Sequence, residues 1–196
     1  MTGDFSGNIA VWDLEEAEPV DQVTGGHSDM INCVTGDSDH NTVVTGGRDG
    51  QVRVWDRRDL RQCVVNIVGD TCRDTWTVTT RDHVICAGYS NGDIRQFDTR
   101  AGDKAVTWES NIGTGGVTCL CYMEDRRLCG ASTSGMVTVW DMVTWHKTRG
   151  YTRTDHVTEK SCVWRVSPSP HDNNVMMTTL SSGSANLVKF KPPGHR

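Results

Sequence analysis

The twelve residues Thr45 to Asp56, TGGRDGQVRVWD, set a β-branched hydroxyl, two glycines, an Asp-Gly pair and an alternating run ending in Trp-Asp side by side. Glycines beside a Thr and an Asp suit two devices, a loop that cradles a phosphate or a tight turn between two strands. The phosphate loop needs the order Gly-x-x-x-x-Gly-Lys-Ser/Thr opening a helix. Gly46, Gly47 and Gly50 do not stand in that order, and no helical stripe follows them. The turn fits better, because Val52 and Val54 alternate with Gln51 and Arg53 ahead of Trp55. That is the two-residue period of a half-buried strand.

The stretch recurs. TGDFSGNIAVWD (Thr2 to Asp13), AGYSNGDIRQFD (Ala87 to Asp98) and GASTSGMVTVWD (Gly130 to Asp141) repeat its layout, and LSSGSANLVKF (Leu180 to Phe190) does so more faintly. The aromatic position falls at Trp12, Trp55, Phe97, Trp140 and Phe190, in steps of 43, 42, 43 and 50 residues. An acid follows it in the first four copies, as Asp13, Asp56, Asp98 and Asp141. Five residues before it stands a glycine, Gly7, Gly50, Gly92 or Gly135, preceded by Ser6, Asp49, Asn91 or Ser134. Such pairs favour positive φ at both centres of a tight turn, so each copy is expected to be strand, two-residue turn, strand. Between the copies lie short apolar or β-branched runs at Cys63 to Val68, Thr75 to Thr80, Lys104 to Trp108, Val117 to Met123 and Ser161 to Val166. About four strands per unit, without a helical stripe, predict an all-β array of four-stranded blades that bury both faces against their neighbours. The units run 1–25 (the second half of a blade), 26–69, 70–112, 113–150 and 151–192, with 193–196 as a tail.

Composition narrows what such an array does. The net charge is −5 and the basic residues are scattered, which argues against nucleic acid or an anionic membrane as the partner. The N-terminus MTGDFSGNIAVWDL lacks a basic start followed by an apolar run, and no window approaches a membrane span, so neither secretion nor membrane insertion is expected. Of the 8 cysteines, all but Cys72 sit in or beside apolar runs, the pattern of reduced, mostly buried thiols in an intracellular protein. Cys119 and Cys121 share a strand face, but no second cysteine pair stands at zinc spacing and the histidines are dispersed, so no metal is expected.

With Gly26-His27, then Thr45, Asp49 and Trp55-Asp56 in order, the second unit resembles the WD-repeat β-propellers. The resemblance implies that His27, Thr45, Asp49 and Trp55 form a hydrogen-bonded set tying the blade's strands together. Their chemistry is compatible: the indole N–H only donates, the hydroxyl does both, imidazole bridges, and the carboxylate ends the chain as acceptor. The other copies depart from it, with Ser6 in the first, Ala87 and Asn91 in the third, Gly130 and Ser134 in the fourth, and Leu180 and Ser184 in the fifth. Those units are expected to lean on apolar packing.

VICAGYSNGDIRQFDTR (Val84 to Arg100), TWESNI (Thr107 to Ile112), RDTWTV (Arg73 to Val78) and TGDFSGNIAVWDLE (Thr2 to Glu15) are similar to the WD-repeat adaptors of axonemal dynein preassembly. That resemblance implies a ring of about seven blades, without catalysis or cofactor. It implies a cytoplasmic adaptor, in dynein-assembly foci of ciliated or flagellated cells, that links dynein chains to a chaperone complex of prefoldin-like and AAA ATPase subunits. The alternatives are a WD-repeat module of another complex, such as ubiquitin-ligase substrate recruitment or RNA processing, and an enzyme using His27, Asp49 and Thr45 as base, orienter and nucleophile.

Thr2 already stands at the hairpin position, so the first two strands of its blade are expected to be missing and about four and a half blades to remain. Such an arc looks like an N-terminally truncated fragment, and its open faces predict aggregation. Trp145, Arg149 and Tyr151, after a Trp-Asp ending, are the candidate interaction residues, whereas Trp76 and Trp164 are expected in the core.

Overall fold

The computed structural model describes residues 1–37, 41–68, 73–101, 106–123, 126–144, 147–152, 161–172 and 174–189. They form five antiparallel sheets, each a meander of consecutive strands. The first holds β1 (Thr2–Gly3), β2 (Ile9–Trp12) and β3 (Pro19–Val23), and the second β4 (Ile31–Asp37), β5 (Thr42–Gly47), β6 (Gln51–Asp56) and β7 (Asp59–Val68). The third holds β8 (Thr75–Arg81), β9 (Val84–Tyr89), β10 (Asp93–Asp98) and β11 (Val106–Asn111), and the fourth β12 (Val117–Met123), β13 (Arg127–Ser132), β14 (Met136–Asp141) and β15 (Lys147–Thr152). The fifth holds β16 (Val163–Pro168), β17 (Val175–Leu180) and β18 (Ala185–Lys189). A 3-10 turn at Thr99–Ala101 is the one helical element among the described residues.

The Thr45 to Asp56 hairpin supplies the second and third strands of its sheet, and its turn differs from the expected one. The loop is three residues, Arg48, Asp49 and Gly50, closed by a hydrogen bond from Gly50 N to Gly47 O at 3.1 Å. Gly50 alone takes positive φ, at 76°. Asp49 needs no left-handed backbone because its carboxylate accepts from Gln51 N at 3.1 Å and caps the turn itself. A turn followed by one left-handed glycine is the other common short hairpin closure. The same closure recurs at Gly7, Gly92 and Gly135, and also at Gly183, whose N–H meets Leu180 O at 3.0 Å.

Gly183 resets the fifth copy. Val188 pairs with Met176 as Trp55 pairs with Val43, so Val188 holds the aromatic place. Thr178 and Ser182 then stand where Thr45 and Asp49 do, in place of the expected Leu180 and Ser184. Phe190 lies outside the described residues. Hairpin register follows the turn, and the nearest aromatic misleads where the turn is faint. In the first sheet β1 occupies the second strand's place, since Trp12 Nε1 donates to Thr2 Oγ1 at 2.9 Å as Trp55 does to Thr45. One strand more is present there than expected, as a two-residue stub.

Sheets stack face to face, and a separate apolar cluster fills each gap. Ile9 joins Ile31, Val43, Trp55 and Leu60 between the first two sheets. Val44, Val52 and Val54 meet Val78, Ile85, Ala87 and Phe97 in the next gap. Cys86 and Ile94 meet Leu120, Leu128 and Trp140, and Cys129, Val137 and Val139 meet Val163, Val166 and Met176. The leading strands β4, β8, β12 and β16 touch in sequence, and each carries a bulge at the same place, between Ile31 and Cys33, Thr75 and Thr77, Val117 and Cys119, and Val163 and Arg165. A bulge re-aims a side chain, and here it aims three of them at the following sheet. Cys33 Sγ reaches Val78 O at 3.7 Å, Thr77 Oγ1 accepts from Leu120 N at 3.3 Å, and Cys119 Sγ reaches Val166 O at 3.7 Å. One residue earlier, Asn32 donates to Thr75 O at 2.9 Å and Thr118 to Val163 O, while Trp76 lies where Gly116 leaves room for it.

Trp164 holds that same place in the fifth sheet. It is 58% exposed, contrary to the core position expected of it. Asn32, Trp76 and Thr118 all reach toward a following sheet, and among the described residues none follows the fifth. Met177 and Leu187 are exposed in the same sheet.

Candidate functional site

The polar set around the opening hairpin is assembled from four places. The loop between β3 and β4 delivers His27, β5 delivers Thr45, the hairpin turn Asp49, and β6 Trp55. The loop is pinned by its own backbone, with His27 N donating to Gly7 O at 2.9 Å and the Arg53 guanidinium donating to Gly26 O. Gly47 makes room for the imidazole: a Cβ there would lie 2.4 Å from His27 Nδ1, closer than real contacts allow.

Within this frame Trp55 Nε1 donates to Thr45 Oγ1 at 3.0 Å, and Thr45 Oγ1 lies 2.6 Å from His27 Nε2. His27 Nδ1 lies 3.0 Å from Asp49 Oδ1. The Asp49 carboxylate can only accept, so Nδ1 carries the ring proton and donates to it. Nε2 then accepts from the Thr45 hydroxyl, whose oxygen accepts from the indole. Asp49 also accepts from Ser28 N at 3.0 Å and from Gln51 N at 3.1 Å. Burial pushes its carboxyl up, but the bonds from His27, Ser28 and Gln51 outweigh that and hold it at about 2. The relay therefore runs in one direction, from the buried indole to a carboxylate that its hydrogen bonds hold in the charged form.

Thr45 is fully buried, His27 2% exposed and Trp55 3%. With the hydroxyl's oxygen and proton both engaged and the ring capped at both nitrogens, the set presents nothing to a substrate. What it does is join the loop before β4 to two strands and a turn of the sheet that follows.

Other copies solve the same problem differently. In the third, Ala87 removes the hydroxyl and Phe97 the N–H together, and Tyr89 stands where Gly47 makes room for His27. In the fourth, Trp140 keeps its N–H over Gly130 and donates instead to Ser110 Oγ of the preceding sheet at 3.1 Å. Its ring packs edge-on to Trp108, 6.0 Å between centroids. Ile112 N bonds to Gly92 O at 2.9 Å as His27 N bonds to Gly7 O, so a fully buried isoleucine fills the histidine's place. The matching backbone bond locates that exchange, and the sequence offers no motif for it.

The acids after the aromatic positions are turn caps. Asp13 accepts from Glu15 N at 2.8 Å, Asp56 from Arg58 N at 2.9 Å, Asp98 from Arg100 N at 3.0 Å and Asp141 from Val143 N at 2.7 Å. Arg58 and Arg100 add forked ion pairs at 2.6 Å, and hydrogen bonds from these arginines hold Asp56 and Asp98 at about 2. The Asp-x-Arg spacing in both copies was the available signal. Trp145 lies outside the described residues, and Arg149 and Tyr151 fall in β15 with side chains outside the described part. Among the described residues no three of His, Cys, Asp and Glu come together as a metal site. No helix there is long and apolar enough to cross a membrane.

Residues 19–56 match the WD40 family, the WD domain with G-beta repeat. The match begins with β3 of one sheet and ends with β6 of the next, so a single sequence repeat bridges two blades with His27 at the joint. Over its whole length the chain is 36% identical to dynein axonemal assembly factor 10 of Xenopus tropicalis, 37% to that of Homo sapiens and 29% to that of Chlamydomonas reinhardtii. It spans 59% of the length of each of these relatives. Among solved structures, the crystal structure of the mitotic checkpoint complex superposes with TM-score 0.83 at 14% identity, over 96% of this chain and 56% of that one. The computationally designed Ika8 protein does so with TM-score 0.74 at 18% identity, over 96% and 54%. Those two likenesses speak for the fold alone. With the repeat match, the whole-chain relatives and the stacked four-stranded meanders in agreement, the chain belongs to the WD-repeat β-propeller proteins.

Proposed function

We propose that this chain is a non-catalytic protein-interaction scaffold that serves as an adaptor, or co-chaperone, in cytoplasmic preassembly of axonemal dynein. The observation that carries the reading is identity along the whole chain to relatives named dynein axonemal assembly factor 10, from Xenopus tropicalis to Chlamydomonas reinhardtii. Its partners on this reading are dynein chains and a complex of prefoldin-like and AAA ATPase subunits. Closure of the His27, Thr45 and Asp49 set supports a scaffold over an enzyme, because a nucleophile must meet its substrate and Thr45 is fully buried. Affinity purification of the protein from ciliated cells, followed by mass spectrometry, tests the proposal. Dynein heavy chains together with prefoldin-like and ATPase subunits are the expected result, and cullin or spliceosomal partners in their place overturn it.

A further inference from the structure

The fourth and fifth blades meet over a group of sulfur atoms that a scaffold does not require. Cys121 of β12 and Cys129 of β13 stand directly opposite each other in the antiparallel register. Both belong to the face that packs on Val163, Val166 and Met176 of the fifth blade. Neighbouring thiols are engaged elsewhere: Cys33 and Cys119 point at backbone carbonyls of following sheets, and Cys86 contacts the Tyr122 hydroxyl at 3.2 Å. Cys121 and Cys129 are direct cross-strand partners, and Cys129 Sγ also touches Met176 Sδ at 3.7 Å. Directly opposed residues of an antiparallel pair have Cα atoms about 4.5 to 5.5 Å apart, inside the roughly 4.4 to 6.8 Å that a disulfide spans.

We propose that Cys121 and Cys129 are a peroxide-reactive thiol pair that closes to a cross-strand disulfide. Their surroundings divide the roles. Cys121 is half-buried, and the Cys129 thiol opposite it, together with the Arg165 guanidinium, holds it below the ordinary thiol range. Burial pushes the fully enclosed Cys129 well above that range. Cys121 is thus the attacking thiolate and Cys129 the resolving thiol. The Cys121 sulfur attacks one oxygen of hydrogen peroxide, the O–O bond breaks, and hydroxide departs, leaving a sulfenic acid. The Cys129 sulfur then attacks Cys121 Sγ, the S–O bond breaks, and hydroxide leaves. The two hydroxides take the two thiol protons, so two thiols are oxidised and one peroxide is reduced to two waters. Closure draws Cys129 Sγ from Met176 and loosens the contact between the fourth and fifth blades.

The folded chain is treated with hydrogen peroxide, its remaining thiols are alkylated under denaturing conditions, and the protein is digested with trypsin without reduction. Arg126 and Arg127 lie between the two cysteines, so the bond joins two separate peptides. The expected product is that linked pair, lighter by two hydrogens, with Cys33 and Cys119 alkylated. In Cys129→Ser no link forms and dimedone traps a sulfenic acid at Cys121, while in Cys121→Ser Cys129 stays alkylatable after peroxide. The proposal is overturned if both cysteines of the unaltered chain remain alkylatable after peroxide, or if Cys121 pairs with Cys119 instead. That reading needs no variant to fold.

Discussion

Replacing Thr45 by Val tests the relay with the least change of shape. The side chain is fully buried and keeps its volume, but its oxygen accepts from Trp55 Nε1 at 3.0 Å and its proton serves His27 Nε2 at 2.6 Å. Each buried polar group left without a partner costs about 1 to 3 kcal/mol. Two of them make the expected loss about 2 to 6 kcal/mol, a large part of the roughly 5 to 15 kcal/mol by which a domain is stable. Trp55→Phe removes only the donor and leaves the Thr45 to His27 bond in place, so about 1 to 2 kcal/mol is expected.

The double variant decides between a relay and mere packing. Once Trp55 is Phe, Thr45→Val no longer orphans the indole, so the two losses sum to more than the double variant loses, by about 1 to 2 kcal/mol. The third blade already carries that state, with Ala87 and Phe97 in the corresponding places. Urea unfolding followed by far-ultraviolet circular dichroism measures all four proteins without relying on the altered tryptophan. Simple additivity, or a Thr45→Val loss under about 0.5 kcal/mol, refutes the directional relay.

Gly47→Ala drives a Cβ to 2.4 Å from His27 Nδ1, so a loss of about 1 to 3 kcal/mol is expected, and adding His27→Ala should lessen the extra penalty in urea melts. Asp49 titrates at about 2 folded against 3.8 unfolded, so its contribution is full above the higher value and is lost as pH falls through the lower one. It is worth about 2 kcal/mol, and Asp49→Asn should flatten the fall in urea midpoint over that window; an unchanged slope contradicts the assignment. Trp164→Ser, at a 58% exposed site, should shift stability by under about 0.5 kcal/mol, whereas Trp76→Ser, packed on the next blade at Gly116, should cost about 2 kcal/mol or more. Equal losses would mean that the fifth sheet's face is covered.

The blades were legible because their signal is local and repeated. A left-handed glycine and a two-residue alternation are properties of a few neighbouring residues, and they recur at a fixed spacing. What stayed hidden depends on contacts across sheets. Nothing in the sequence says that Trp140 finds its acceptor in Ser110 of the preceding sheet, or that Ile112 stands in for a histidine. Phe190 attracted the fifth aromatic position because its turn signal, Gly183 after two serines, is weaker than an aromatic residue. Trp164 was expected inside because a tryptophan on a leading strand is inside wherever another sheet follows.

The offset between sequence repeat and blade explains why the polar set can decay without loss of the fold. A repeat running from β3 to β6 places its histidine loop at a joint between sheets, and the rest of the set in the second of them. Where that set is complete, hydrogen bonds hold the joint. Where it is not, the donor and acceptor have vanished together, as at Phe97 and Ala87, the donor has turned to a new partner, as Trp140 does, or the hydroxyl has turned to backbone, as Thr178 does in donating to Asn186 O where Val188 replaces the aromatic. A buried polar group survives substitution only along such paths, since an indole left alone costs more than a phenyl in its place. His27, Thr45 and Trp55 are thus spent inside the protein, holding one joint between sheets.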